Sequence, residues 1–97
     1  MLTNKNRKFL KSKAHHLKPI IIIGKDEVSH TVINSISDAV DSHELIKVKF
    51  NHHKERKKEI IDNINSKIDT QLIGIVGNIA IIFRQNKDIN KRKYVID

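Results

Sequence analysis

A lysine that directly follows a glycine, at the end of a run of isoleucines, is the clearest candidate for chemistry in this sequence. Gly24 closes the run at residues 20–23, and Ser29, beyond a short polar loop, is a residue type that caps helices. A strand, a glycine turn and a helix N-terminus can direct backbone N–H groups at a phosphate, and Lys25 adds a full positive charge. The sequence therefore predicts a phosphate-binding junction. No polar residue alternates with the isoleucines, which predicts a strand buried on both faces.

Histidines are the next candidates, because six of them could suggest a metal site or acid–base chemistry. Four of the six form the adjacent pairs His15-His16 and His52-His53. Neighbouring side chains diverge on helices and strands, so such pairs seldom converge on one ion. No HxxxH or HExxH spacing occurs, and cysteine is absent. We expect no metal and no cofactor.

Catalytic carboxylates are also not indicated by the sequence. Asp38, Asp41 and Glu44 lie on or just after a predicted helix, among serines and histidines typical of a solvated face. Helix capping accounts for Ser29, and neither a Walker sequence nor GxGxxG is present. The prediction is that the protein is not an enzyme.

Net charge indicates the class of partner. Nineteen Lys and Arg against eleven Asp and Glu give a net charge of +8, which favours a polyanion. Residues 1–25 carry seven Lys and Arg and no acid, whereas residues 26–46 carry five acids and no Lys or Arg. We expect one basic and one acidic side, although many exposed lysines can also be merely solvated.

Chain length and hydropathy limit the architecture. Ninety-seven residues predict one domain, with a core at about residues 3–86 and a charged, loosely held tail at 87–97. No apolar run approaches the roughly 20 residues needed to cross a bilayer, and no signal peptide is recognised. We expect a cytoplasmic monomer that does not bind membranes.

Hydrophobic periodicity predicts the order helix, strand, helix, strand, helix, strand, strand. The predicted spans are residues 4–16, 20–23, 29–42, 45–50, 54–68, 71–76 and 79–84. Gly77-Asn78 predicts a tight hairpin turn, and Gly74 a bulge or close backbone contact. Strands separated by helices and followed by a hairpin predict an α/β fold with a four-stranded mixed sheet.

Three groups of cations fall on these elements. Lys5, Lys8 and Lys11 share one face of the first helix, and Lys47 and Lys49 share one face of the second strand. The start of the third helix carries positive charge that opposes the helix dipole. Helix stability therefore does not explain this charge, and contact with nucleic acid would. This last group comprises Lys54, Arg56, Lys57 and Lys58.

Several of these segments, taken together, resemble a known family. The sequence is similar to the bacterial YhbY-type proteins, stand-alone forms of the CRM domain (chloroplast RNA splicing and ribosome maturation), over about residues 3–86. The matching segments are Leu17-Lys18-Pro19, the aliphatic run ending at Gly24, His43-Glu44-Leu45-Ile46-Lys47-Val48-Lys49, Ile73-Gly74 and Phe83-Arg84.

This resemblance implies an RNA-binding domain similar in fold to the C-terminal domain of translation initiation factor three. It also implies association with precursors of the large ribosomal subunit. The family's proposed RNA-binding loop is a GxxG motif like that of KH domains, which clamps nucleotide backbone. Here the loop begins with Gly24 and Lys25, but Glu27 occupies the place of the second glycine, so we expect a weaker contact there.

We therefore predict an RNA-binding surface that recognises backbone and shape, because the four aromatic residues are too few for base stacking to dominate. A DNA-binding or architectural protein is the alternative, since the phosphate contribution is common to both nucleic acids. A protein-binding module on the ribosome is a third possibility. The predicted RNA-binding residues are Lys5, Lys8, Lys11, Lys18, Gly24, Lys25, Lys47, Lys49 and Arg84.

Overall fold

Three helices and a four-stranded sheet make up the fold in the computed structural model, which describes residues 2–26 and 28–96. The predicted order of elements and the mixed α/β sheet are confirmed. A short 3-10 turn, Lys54–Arg56, leads into the third helix. The elements are α1 (Asn4–Ala14), β1 (Ile21–Ile23), α2 (His30–His43), β2 (Leu45–Phe50), α3 (Lys57–Ile68), β3 (Gln71–Val76) and β4 (Ile79–Phe83).

The strand order in the sheet is β1-β2-β4-β3. β1 is parallel to β2, whereas β4 is antiparallel to both β2 and β3. The C-terminal ends of β1, β2 and β3 therefore lie together with the Gly77-Asn78 turn, and we call this end of the sheet the upper edge. The lower edge holds the end of β4 and the first residues of β2 and β3.

Helices cover both faces of the sheet. α2 and α3 pack on one face, where Ile36 and Ile64 meet Ile46, Val48 and other buried side chains. α1 packs on the other face, which we call the α1 face, through Leu10 and Ala14. Beneath α1 lie the sheet residues Leu45, Ile73, Ile81 and Phe83.

β1 corrects one expectation from the sequence. It is an edge strand, and Ile20 and Ile22 are 49% and 57% exposed, so the prediction of burial on both faces was wrong. Only Ile23 is fully buried, on the side of α2 and α3. An unbroken apolar run predicted a strand covered on both faces, but α1 does not extend over this part of the α1 face.

Helix starts follow the sequence closely. The Thr3 hydroxyl accepts from the Asn6 backbone N–H at 3.0 Å, and the Asn6 side chain accepts in return from the Thr3 N–H at 3.1 Å. This reciprocal pair satisfies two N–H groups that the first turn of α1 would leave unpaired. Ser29 caps α2 as predicted, accepting from the Val32 N–H at 3.4 Å.

The predicted bulge at Gly74 is confirmed by a register shift between Leu72 and Gly74. Arg7 reaches across from α1 and donates from Nη1 to the Leu72 carbonyl oxygen at 2.5 Å. Lys11 lies over the glycine, with its Cε and Nζ 3.5 Å from the position that a Cβ on Gly74 would take. The bulge therefore helps to seat α1.

The C-terminal segment corrects a second expectation, because it is tied to the core rather than loosely held. Glu44 is buried, and its carboxylate accepts from the backbone N–H groups of Asn86 and Lys93, both at 2.6 Å, and of Tyr94 at 3.2 Å. The Tyr94 ring packs edge-on against Phe83, with 6.4 Å between centroids. A buried carboxylate with several N–H donors holds this segment on the lower edge.

Candidate nucleic-acid interface

Two loops meet at the upper edge, one after β1 and one after β2. The backbone N–H groups of Asn51 and His52 both donate to the Ile23 carbonyl oxygen, at 3.0 and 3.4 Å. His53 then donates from Nε2 to the Lys25 carbonyl oxygen at 3.0 Å, since a carbonyl can only accept. These bonds attach the glycine loop to the segment that begins α3.

Both crossover helices start at this edge. Each follows a strand that ends there, so the N-termini of α2 and α3 carry the positive ends of their dipoles to the same place. Lys25 and Lys54 are exposed beside these ends, and neither ammonium group forms a hydrogen bond or ion pair with another described residue. Such an edge attracts anions.

The remaining cations of this edge are partly engaged. Lys57 donates from Nζ to the Gly77 carbonyl oxygen at 2.7 Å, which attaches α3 to the hairpin turn. Arg56 pairs with Glu59 at 3.3 Å and Lys58 with Asp62 at 2.6 Å. Both ion pairs are exposed, so water and salt screen them, and each cation stays available to a phosphate.

Acidic residues also lie near this edge. Asp26 follows Lys25 in the same loop, and Glu55 lies in the 3-10 turn; both are exposed. Their charge opposes an approaching phosphate, as does that of Glu59 and Asp62 in the two ion pairs. Among the described residues, the five Lys and Arg of this edge outnumber the four acids by one.

A second set of cations lies on the α1 face. Lys47 and Lys49 leave β2 on the side that carries α1, opposite the buried Ile46, Val48 and Phe50. Lys47 donates from Nζ to the Leu17 carbonyl oxygen at 3.0 Å and is half-buried, whereas Lys49 is exposed. β2 therefore presents its basic side toward α1.

The lysines of α1 border the same region. Lys11 points over Gly74 in β3, and Lys8 lies one turn earlier on the same side of the helix. Both are exposed, with His15 one turn later. The cation rows predicted on the first helix and the second strand thus lie on the same face of the sheet, with β4 between β2 and the strand under Lys11.

Comparison with known proteins assigns the chain to a family. The family model for the CRS1 / YhbY (CRM) domain matches residues 2–84. The chain belongs to the CRM domain family. It is 36% identical to "Probable RNA-binding protein YqeI" of Bacillus subtilis, over 91% of this chain and 93% of that protein. It is 31% identical to "Probable RNA-binding protein PA4753" of Pseudomonas aeruginosa, over 93% of this chain and 88% of that protein.

A solved CRM-like structure has the same fold. The solution structure of the hypothetical protein SAV1595 from Staphylococcus aureus matches with a TM-score of 0.78 and 31% sequence identity. The match covers 96% of this chain and 98% of that one. The resemblance seen in the sequence is therefore confirmed at the level of family and fold.

This CRM domain brings most of the predicted residues to two adjoining places. Gly24 and Lys25 lie at the upper edge, and Lys8, Lys11, Lys47 and Lys49 lie on the α1 face. Lys5 is exposed at the start of α1, and Lys18 is exposed in the connection to β1, nearer the lower edge.

Arg84 is not part of this arrangement. It follows β4 at the lower edge, and its guanidinium donates to the Ile68 carbonyl oxygen at 2.6 Å and to the Ser37 carbonyl oxygen at 3.3 Å. It also pairs with Asp41 at 2.5 Å, and its side chain is only 24% exposed. These bonds join α2, α3 and β4, so Arg84 has a structural role at the end of the sheet opposite Gly24.

The glycine loop of this CRM domain is only partly described. An added Cβ on Gly24 would meet nothing within 4 Å, so the chain's own packing does not require glycine there. Open space at this position is compatible with close approach of a ligand backbone, as predicted. Glu27, in the place of the second glycine, lies outside the described residues, and so does its expected effect on the loop.

The predicted surface omitted the residues that follow β2 and lie against the glycine loop. In the sequence, His53 is only half of a histidine pair, and no pattern places Lys54 and Arg56 beside Lys25. The signal was the positive charge at the start of the third helix, which opposes the dipole. The His53–Lys25 contact spans 28 residues, and no local pattern encodes it.

Other kinds of site receive no support from the geometry. Within residues 2–26 and 28–96, no three His, Asp or Glu side chains come together in a group that could hold a metal ion. In the same ranges, no helix has the length and apolar character needed to cross a bilayer.

Proposed function

We propose that this CRM domain binds RNA through the upper edge and the adjoining α1 face, and that it assists assembly of the large ribosomal subunit in the cytoplasm as a non-catalytic monomer. RNA binding is supported by the names of its relatives, and the ribosomal role by the family resemblance seen in the sequence. The proposal joins two sets of cations that are distant in the chain, one at the upper edge and one on the α1 face.

One observation carries the proposal. His53 attaches the Gly24-Lys25 loop to the start of α3, so Lys25, Lys54 and two helix N-termini act at one place. Lys49, the next-to-last residue of β2, continues the positive charge onto the α1 face. A phosphodiester backbone could follow this path from the edge onto the face, with a phosphate contacting each cation in turn.

Aromatic stacking contributes little to this mode of binding. Phe50 and Phe83 are buried, Phe9 is half-buried against the α1 core, and Tyr94 packs on Phe83. The affinity then comes chiefly from phosphate contacts and depends strongly on salt. Recognition would follow the shape of a folded RNA more than its sequence.

Gradient sedimentation of cell lysate, with crosslinking and sequencing of the attached RNA, tests the proposed function. We expect the protein to sediment with particles lighter than mature large subunits and to crosslink to RNA of that subunit. Sedimentation with DNA, and crosslinks confined to DNA, would favour the alternative of a DNA-binding protein. Free protein without attached nucleic acid would contradict both.

A further inference from the structure

A row of four side chains crosses the part of the sheet that α1 leaves uncovered. The strand registers pair Ile22 with Lys49, Lys49 with Ile79, and Ile79 with Val76. Residues paired across neighbouring strands leave the sheet on the same face, here the α1 face. Ile22 is 57% and Val76 56% exposed, Lys49 is exposed and Ile79 is half-buried. We call these four residues the open-face row.

The row is accessible because α1 packs nearer the lower edge. Leu10 and Ala14 cover Leu45, Ile81 and Phe83. On β2, Leu45 precedes Lys49, and on β4, Ile81 and Phe83 follow Ile79, so all three lie nearer the lower edge than the row. Lys11 extends from α1 over Gly74, which has no side chain to block it. Lys11 therefore borders the row on the side of α1.

The charge that the helix and the sheet bring to this face is all positive. α1 and all four strands contain Lys and Arg but no Asp or Glu. Ile79 and Val76 lie on the side of Lys49 that faces Lys11, and Ile22 lies on the other side of Lys49. Strands lie about 4.8 Å apart, so the row spans roughly 14 Å.

This combination matches the chemistry of an unpaired nucleotide. The flat face of a base is apolar enough to pack on aliphatic side chains, while its phosphate needs a cation nearby. In a duplex the base faces are stacked on one another and hidden, so only unpaired nucleotides can offer them. The row also lies directly below the upper edge, since Gly24 follows Ile22 by two residues and the Gly77 turn follows Val76.

We propose that the open-face row binds unpaired nucleotides of the RNA, with bases against Ile22, Ile79 and Val76 and phosphates on Lys11 and Lys49. This inference rests on the RNA binding proposed above. It adds that the domain prefers RNA with a single-stranded segment next to the part held at the upper edge. Aliphatic contacts do not distinguish one base from another, so the preference is for strandedness and not for sequence.

The test uses the double variant Ile22→Thr/Val76→Thr, which keeps β-branched residues in the strands. Its matched control is Ile89→Thr/Val95→Thr, because these residues are also exposed and apolar but lie in the C-terminal segment. Binding of oligouridylate and of a fully paired RNA duplex is measured by fluorescence anisotropy at several salt concentrations. Thermal unfolding verifies that each variant is folded.

We expect the row variant to bind oligouridylate about tenfold more weakly, through loss of apolar contact at two side chains. The loss should be the same at every salt concentration, since no charge is removed. Duplex affinity, and both affinities of the control variant, should not change.

Three results would overturn the inference: unchanged oligouridylate affinity, an equal loss for the duplex, or an equal loss in the control variant. Unchanged affinity would mean that the apolar side chains of the row do not contact single-stranded RNA. Failure of the unaltered protein to bind either RNA would have a different meaning, because it would overturn the proposed function itself.

Discussion

His53 Nε2 donates a hydrogen bond to the backbone carbonyl oxygen of Lys25, at 3.0 Å. His53 adopts a left-handed backbone conformation, with φ of 59°, which turns its ring toward the β1 loop. The bond makes the loop after β1 and the segment before α3 one unit. Lys25 and Lys54 therefore keep a defined spacing, which favours binding of a regular phosphate backbone.

Replacement of His53 should loosen the glycine loop. We expect His53→Asn, which tolerates the left-handed conformation but is too short for the bond, to speed hydrogen exchange of the amides at residues 24–26. RNA affinity should fall several-fold, in line with loss of one hydrogen bond of about 1 kcal/mol. His52→Asn is the matched control and should change neither quantity. Unchanged exchange in His53→Asn would show that the contact does not order the loop.

Two glycines should respond oppositely to alanine. Gly24→Ala adds a Cβ in open space, so the free energy of unfolding should stay within about 0.5 kcal/mol while RNA affinity falls. Gly77 has a φ of +59°, and Gly77→Ala should cost about 1 to 2 kcal/mol of stability with little effect on RNA binding by the folded protein. Chemical denaturation and a binding titration measure both effects. Full RNA affinity in Gly24→Ala would argue against close approach of RNA at the loop.

Arg84 should matter for stability and not for RNA. Arg84→Gln leaves the carbonyls of Ile68 and Ser37 without their donor and removes the pair with Asp41. We expect a loss of about 2 kcal/mol in the free energy of unfolding, and unchanged RNA affinity at a temperature where the variant is folded. Lys87→Gln, an exposed change nearby, is the control. A large loss of RNA affinity in folded Arg84→Gln would restore Arg84 to the binding surface.

Stability should fall at alkaline pH through Tyr94. Burial, and then the nearby Glu44 carboxylate, raise the pKa of the Tyr94 hydroxyl above its ordinary value of 10.0. The folded state disfavours ionisation of Tyr94. The contribution of Tyr94 to the free energy of unfolding is therefore complete below pH 10 and is lost as pH rises through the folded pKa. Urea unfolding of the protein and of Tyr94→Phe should therefore give a stability difference that shrinks only above pH 10. A difference independent of pH would contradict this account.

Local patterns predicted the elements well because each element has a local cause. The spacing of Ile33, Ile36 and Val40 produces the apolar stripe of α2, and Ser29 its cap. The alternation in β2 separates Lys47 and Lys49 from the core, and Gly74 marks the bulge. These features depend on neighbours within one or two turns or across one hairpin.

Contacts between distant segments could not be predicted in the same way. Ile22 is exposed because β1 is at the sheet edge and α1 covers other residues of that face. The isoleucine run itself predicts neither feature. The residues next to Glu44 in the sequence are typical of a solvated acid, whereas in the fold the C-terminal segment supplies three N–H donors to its carboxylate. Arg84 resembled another phosphate ligand, although its donors are used by backbone carbonyls 16 and 47 residues away.

The salt dependence of RNA binding tests the basic surface most directly. Lys8→Gln/Lys11→Gln removes two cations from the α1 side of the surface, and Lys87→Gln/Lys91→Gln removes two exposed cations from the C-terminal segment. If Lys8 and Lys11 each contact a phosphate, the slope of log affinity against log salt should fall by about 1.4 to 1.8 in the first variant and stay unchanged in the second. Equal slopes in all three proteins would contradict the account.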